Sequence, residues 1–281
     1  MQFYKTSKGN FLVHEQGIYL IEGIWDTVIN QENLYEHLLG IIPSSKKVDK
    51  DEFHAAVKFI QAPIGHQELW AAGVTYLRSR NARMEEAKTG GGADFYEKVY
   101  EADRPELFFK SLPHRISAHE EKVFIRKDSK WNVPEPELTL FINSKGNIQA
   151  YTAGNDMSSR DIEGENPLYL PQAKMYERAA ALGPCLYIPS SPIPKSTTLK
   201  LVIKRNGAEA FTGSIQLSSM KRELDELANW LYKEFKFPFG CFLMTGTGIV
   251  PPDHFTLEVG DEVEISIEGI GTLKNTVATQ D

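Results

Sequence analysis

Val133-Pro134-Glu135-Pro136-Glu137-Leu138-Thr139-Leu140-Phe141-Ile142-Asn143-Ser144-Lys145-Gly146-Asn147-Ile148-Gln149-Ala150-Tyr151-Thr152-Ala153-Gly154-Asn155-Asp156 decides the reading of this chain. Ser144 to Asn147 has the composition of a tight hairpin turn, with a β-type run on either side. Side chains alternate faces along a strand, so Glu135 and Glu137 project the same way. If Asn143 and Ile148 flank the turn, counting outward sets Asp156 opposite Glu135 on that face. Two like charges about 4 Å apart repel by about 1 kcal/mol in water and about 4 kcal/mol at a protein's effective dielectric. Such a trio is tolerable if a cation sits in it or if one carboxylate takes up a proton, and geometry alone leaves both open. Three hard oxygen ligands without His or Cys favour Mg²⁺, Mn²⁺ or Ca²⁺ over zinc.

Outward from the hairpin the texture is that of short strands. Leu107–Phe109, Val123–Arg126, Leu199–Arg205, Glu209–Gly213, Glu262–Glu268 and Thr272–Val277 read as strands, and Met220–Phe235 reads as a helix with Leu224, Leu227, Ala228 and Leu231 facing a core. The pattern predicts a mainly β, α+β fold in which a β-rich domain closes on itself like a barrel. Residues 1–65, with β-like runs at Phe11–Val13 and Gly17–Gly23 and a helical stretch at Glu32–Leu39, read as a small N-terminal α+β domain ahead of a catalytic domain at 66–281. The charged stretch Arg78–Lys88 ends in Gly90-Gly91-Gly92, a tether suited to a mobile lid.

Composition narrows the class. A hydrophobic share of 41% with 25% charged residues excludes wholesale disorder. Two cysteines among 281 residues exclude a disulfide framework and suit a reducing cytoplasm. A formal charge of −7, without a basic block, argues against nucleic-acid binding. Met1 to Val13 lacks a signal-peptide core, and no window approaches the ~18–20 apolar residues of a membrane span. A cytoplasmic protein is expected. Cys185 and Cys241 read as core residues. His14, His37, His54 and His66 read as surface or packing residues, with His114, His119 and His254 as candidates to line a cleft.

The run Glu135–Asp161, with E-P-E-L-T-L-F and then Y-T-A-G-N-D-M-S-S-R-D, resembles the signature of the fumarylacetoacetate hydrolase family. Pro105–Lys110, Ala173-Lys174-Met175, Leu182–Cys185, Leu243–Val250, Leu257–Asp261 and Ile270–Asn275 are similar to that family's further motifs, in the same order. The resemblance spans about residues 70 to 277. It implies that Glu135, Glu137 and Asp156 bind Mg²⁺, and that Lys174 is the active-site lysine. It also implies that Arg160, Thr247 and Lys110 contact the substrate. Taken alone, Lys174 in A-K-M-Y-E-R reads as an exposed lysine; the family context reverses that reading.

Within the family, carbon–carbon hydrolases carry a histidine with an acidic partner in the lid, and Thr75–Glu86 contains no histidine. Trp70–Tyr76 with Arg78, Ser79, Arg80, Glu85 and Glu86, and Gly246–Pro252, resemble instead the branch that dehydrates 2-keto-3-deoxy sugar acids. That likeness implies a Mg²⁺-dependent hydro-lyase converting a 2-keto-3-deoxy aldonic acid, a pentonate above all, to 2-oxoglutarate semialdehyde. Lys174 would take the proton from the methylene beside the ketone. Glu85 or Glu86 would protonate the departing hydroxyl, while Arg78, Ser79 and Arg80 grip the substrate. Hydrolysis or decarboxylation of an acylpyruvate is the alternative. The implied partners are a small 2-keto acid and a second copy of the chain, as a homodimer or a dimer of dimers.

Overall fold

The computed structural model describes residues 1–78 and 93–280, with the backbone alone for 93–96. Strands β1 (Gln2–Thr6), β2 (Gly9–His14) and β3 (Gly17–Ile21) form an antiparallel meander. Then come α1 (Trp25–Ile29), α2 (Leu34–Ile41), β4 (Lys46–Val48) and α3 (Lys50–Val57). The side chains of Asn33 and Asp49 accept the backbone N–H groups of Glu36 and Glu52, which starts α2 and α3. The chain continues through β5 (Glu68–Gly73), α4 (Ala93–Glu101), β6 (Glu106–Ser111), β7 (Ile116–Ser117), β8 (Lys122–Phe124) and β9 (Asn132–Val133). The decisive hairpin is β10 (Pro136–Ile142) with β11 (Ile148–Asp156), followed by β12 (Ser158–Ser159), α5 (Arg160–Glu165) and α6 (Leu170–Lys174). The remainder is β13 (Ala180–Tyr187), β14 (Thr198–Arg205), β15 (Ala208–Gln216), α7 (Leu224–Tyr232), β16 (Cys241–Met244), β17 (Glu262–Ile267) and β18 (Gly271–Ala278).

One large mixed sheet runs in the order β4-β3-β2-β1-β13-β11-β10-β16-β5-β6, and a second runs β15-β14-β17-β18-β8. This is the expected mainly β architecture with a few helices. The N-terminal meander joins the large sheet where β1 pairs antiparallel with β13. Both faces of β10 are buried, and its alternation sorts its residues between two cores. Leu138, Leu140 and Ile142 meet Leu201, Ile203, Ile265 and Leu273 of the second sheet, with Leu227 and Leu231 of α7. Phe141 turns the other way, into a cluster with Trp25, Leu34 and Leu38 beneath α1 and α2. No helix among the described residues is long and apolar enough to cross a membrane.

Three local differences from the sequence reading have physical causes. Helix α7 is shorter than Met220–Phe235, because Glu223 and Glu226 close a capping box at its start and Met220 bridges to Tyr76. Ala180–Tyr187 is a central strand although Pro184 interrupts it. A bulge between the pairs Ala153↔Gly183 and Tyr151↔Tyr187 absorbs the missing N–H. Near the hairpin turn Ile142, not Asn143, pairs with Ile148. A bulge at Gln149 then restores Phe141↔Ala150 and carries the register to Pro136↔Asn155. Asp156 therefore does lie opposite Glu135, its N–H donating to the Glu135 carbonyl at 2.9 Å.

Candidate active site

The odd-numbered face of β10 changes character along its length. Phe141 opposite Ala150 belongs to the apolar cluster, Thr139 opposite Thr152 is buried and polar, and Glu137 faces Gly154. Glycine is required at 154, since a Cβ there would stand 2.3 Å from Thr139 Oγ1 and 2.9 Å from Met244 Cε. At the end of this face Glu135, Glu137 and Asp156 offer ligand oxygens all within 4.8 Å of one another, and all three are buried. Burial pushes the Glu137 carboxyl well above the usual range, and the charges of Asp156 and Glu135 push it further. The backbone N–H of Gly246 donates to Glu137 Oε2 at 2.6 Å and works in the opposite direction. Three buried carboxylates offering hard oxygens within reach of one point are a donor set that fits a divalent cation such as Mg²⁺.

Lys174 ends α6 and is 1% exposed. Its ammonium donates to Glu135 Oε2 at 2.7 Å, to Asp156 Oδ2 at 3.0 Å and to the Ser158 hydroxyl. The lysine segment is thus folded onto the carboxylates, as the family resemblance implies and as its local sequence would not suggest. Lys110, on β6, is wholly buried. It contacts Asp156 Oδ1 and donates to the carbonyls of Met157 (3.0 Å) and Lys174. Burial lowers the proton affinity of Lys110, while Asp156 opposes the change.

Arg160 is 1% exposed, with Nη2 3.8 Å from Glu135 Oε1 and its guanidinium over the Trp131 ring. Thr247 is buried, its hydroxyl donating to the Ile249 carbonyl at 3.2 Å. Arg160, Thr247 and Lys174 line a narrow cleft together with the three carboxylates. Arg78 is exposed, its Nη2 donating to the Val250 carbonyl at 3.0 Å. Ser79, Arg80, Glu85 and Glu86, with the glycine run, lie outside the described residues.

The cleft also holds residues that the sequence reading passed over. Glu106 and Phe108 line it from β6, on the same face as Lys110, and Glu163 lines it from α5. The alternation Glu106, Phe108, Lys110 was the available signal. Val74, also on the cleft wall, holds φ at 55°, an unusual conformation for a β-branched residue. His114 and His254 are exposed, and His119 accepts the backbone N–H of Lys274 at 3.1 Å. None of these three histidines lines the described cleft wall. Both cysteines are buried and free, and burial pushes the Cys185 thiol up to about 12.

Residues 74–278 match the family model described as fumarylacetoacetate (FAA) hydrolase C-terminal. The chain belongs to the fumarylacetoacetate hydrolase family. Within that family it is 45% identical over 218 residues to a probable 2-keto-3-deoxyxylonate dehydratase of Haloferax volcanii, covering 77% of this chain and 74% of the relative. It is 44% identical over 218 residues to a 2-dehydro-3-deoxy-D-arabinonate dehydratase of Saccharolobus solfataricus, covering 76% and 72%. A solved structure of 2-keto-3-deoxy-D-arabinonate dehydratase, complexed with magnesium and 2,5-dioxopentanoate, superposes with a TM-score of 0.84 at 32% identity. The match covers 99% of this chain and 98% of that one.

Proposed function

We propose that this member of the family is a Mg²⁺-dependent hydro-lyase that converts a 2-keto-3-deoxy-pentonate to 2,5-dioxopentanoate (2-oxoglutarate semialdehyde). One observation carries the reading: a buried trio of carboxylates with the Lys174 ammonium across two of them, in a chain 44% and 45% identical to two sugar-acid dehydratases. Glu135, Glu137 and Asp156 hold the cation, which when bound supplies Lewis-acid polarisation of the keto acid. Lys174 takes the proton from the methylene next to the ketone. Its amine must be unprotonated to do so, and Ser158, Glu135 and Asp156 then hold the ammonium that forms.

Arg160 and Thr247 meet the substrate's oxygen atoms from the cleft wall. Glu106, whose carboxyl lies against the backbone of Gly73 on the cleft wall, in its protonated form gives the proton to the departing hydroxyl. Glu85 and Glu86 are the alternatives for that role, and Arg78, Ser79 and Arg80 are the residues to grip the substrate. No histidine occurs between Gln67 and Pro113, so the acid-paired lid histidine of a hydrolase has no candidate there. Residues 66–281 form the catalytic unit and 1–65 a small unit that buttresses it. The enzyme works in the cytoplasm as a homodimer or dimer of dimers.

The test is an assay on a panel of 2-keto-3-deoxy pentonates and hexonates, with Mg²⁺ or with EDTA, coupled to a dehydrogenase that oxidises the semialdehyde. NADH formed with Mg²⁺ and abolished by EDTA is the expected result. Silence across the panel, with turnover of an acylpyruvate, would overturn the reading in favour of hydrolysis.

A further inference from the structure

Lys110 is a buried ionisable group beside the carboxylates for which the reaction above has no use. An ammonium has three N–H bonds and no acceptor, and three protein oxygens surround this one: Asp156 Oδ1 and the carbonyls of Met157 and Lys174. Two N–H groups donate to the carbonyls and the ammonium sits in ion-pair contact with Asp156 Oδ1, while the wholly buried side chain is not part of the cleft lining. The three partners come from two segments: the adjacent Asp156 and Met157 where β11 runs toward β12, and the last residue of α6. The carbonyl of Lys174 is one of those at a helix C-terminus that lack an intrahelical partner, where a cation is favoured.

We propose that Lys110 is a positioning residue and not a substrate ligand. It holds Oδ1 of Asp156, so that a divalent cation meets Asp156 through Oδ2, the oxygen that Lys174 contacts at 3.0 Å and must share or release, and it clamps the end of α6 so that Lys174 is aimed at the cleft. This deepens the proposed function and rests on its cation site. The Gly246 N–H ties Glu137 by one oxygen in the same way. A site of single-oxygen carboxylates suits Mg²⁺, which demands a small octahedron and keeps positions for water and substrate. Ca²⁺ takes six to eight oxygens and readily accepts both oxygens of a carboxylate. Lys110 thereby tilts the site toward the smaller ion.

The experiment is calorimetric titration of the wild type and of Lys110→Met with MgCl₂ and with CaCl₂, then steady-state kinetics at saturating Mg²⁺. Methionine keeps the approximate length of the side chain without its charge. The expected result is a Ca²⁺-to-Mg²⁺ affinity ratio raised at least tenfold in Lys110→Met, with kcat reduced at least tenfold and KM within threefold of wild type. A tenfold rise in KM with kcat and both metal affinities unchanged would make Lys110 a substrate ligand and overturn the proposal. An unaltered affinity ratio would overturn it as well. A wild type that binds neither ion would fail the underlying cation site itself, a result distinct from either.

If Lys110→Met does not fold, the wild type decides. The ¹⁵N-resolved ammonium signal of Lys110 should be visible before any keto acid is added, because its protons are held by protein oxygens, and pyruvate should leave it unmoved. A signal that emerges only with pyruvate would overturn the assignment.

Discussion

Replacing Gly246 by alanine tests whether the threonine-glycine loop holds the carboxylate trio in place. Gly246 has φ at 92°, a region costing a residue with a Cβ about 1–2 kcal/mol. The added methyl would stand 2.0 Å from Thr75 Oγ1, 3.0 Å from the carbonyl of Ala72 and 3.2 Å from Thr75 Cβ. The carbonyl is backbone of β5 and cannot swing aside, so overpacking adds about 1–3 kcal/mol. Displacing the Thr75 hydroxyl breaks its hydrogen bond to the Thr245 carbonyl, 2.7 Å long, at about 0.5–1.5 kcal/mol. Gly246→Ala should therefore lose about 2.5–6.5 kcal/mol, read as a lower midpoint in urea with an unchanged slope. The backbone N–H that holds Glu137 Oε2 moves with the loop, so Mg²⁺ affinity should fall at least tenfold. A loss under about 1 kcal/mol, with wild-type Mg²⁺ affinity, would refute this account of the loop.

Further expectations follow from single groups. Lys174→Met should abolish turnover while calorimetry still detects Mg²⁺; full activity would remove the lysine from its role. Glu106→Gln should lower kcat by about 10²–10⁴ with KM little changed, the usual effect of losing a general acid; an unchanged kcat would return that role to Glu85 or Glu86. His119 has its proton affinity lowered, chiefly by burial, with Lys274 adding to the effect and Glu120 opposing it. The unfolded chain therefore binds the proton more readily, and the stability contributed by neutral His119 is complete above its unfolded value near 6.5 and lost as pH falls below it. His119→Gln should flatten the fall in Tm between pH 7.5 and 5.5, and an equally steep fall would refute the assignment.

The hairpin and its face of carboxylates were legible because a period of two is a strong signal, and because the register needed only a turn and a count. The count came out right through compensation: the turn closes one residue earlier than expected, and the bulge at Gln149 supplies the missing step. Strands β13 and β16 were not legible as strands. Glycine and proline interrupt the first, and the second is four residues whose neighbours on both sides come from distant parts of the chain. Lys174 carries no local sign of burial; only the fold brings Ser158 and the carboxylates around it. The structure places Lys110 away from the cleft lining, because a strand position tells which face a side chain takes and not how deep its end lies. Glu106 and Glu163 were passed over since each, in sequence, is one acid among 38 acidic residues.

The central claim is that the buried carboxylates hold a divalent cation on which dehydration depends. The direct measurement is a titration of Mn²⁺ by electron paramagnetic resonance on the wild type and on Glu137→Gln, paired with turnover of the same samples on the 2-keto-3-deoxy-pentonate. The account predicts one tightly bound Mn²⁺ per chain in the wild type, and loss of both the ion and the activity in Glu137→Gln. Turnover that persists in a variant no longer binding the ion would contradict it.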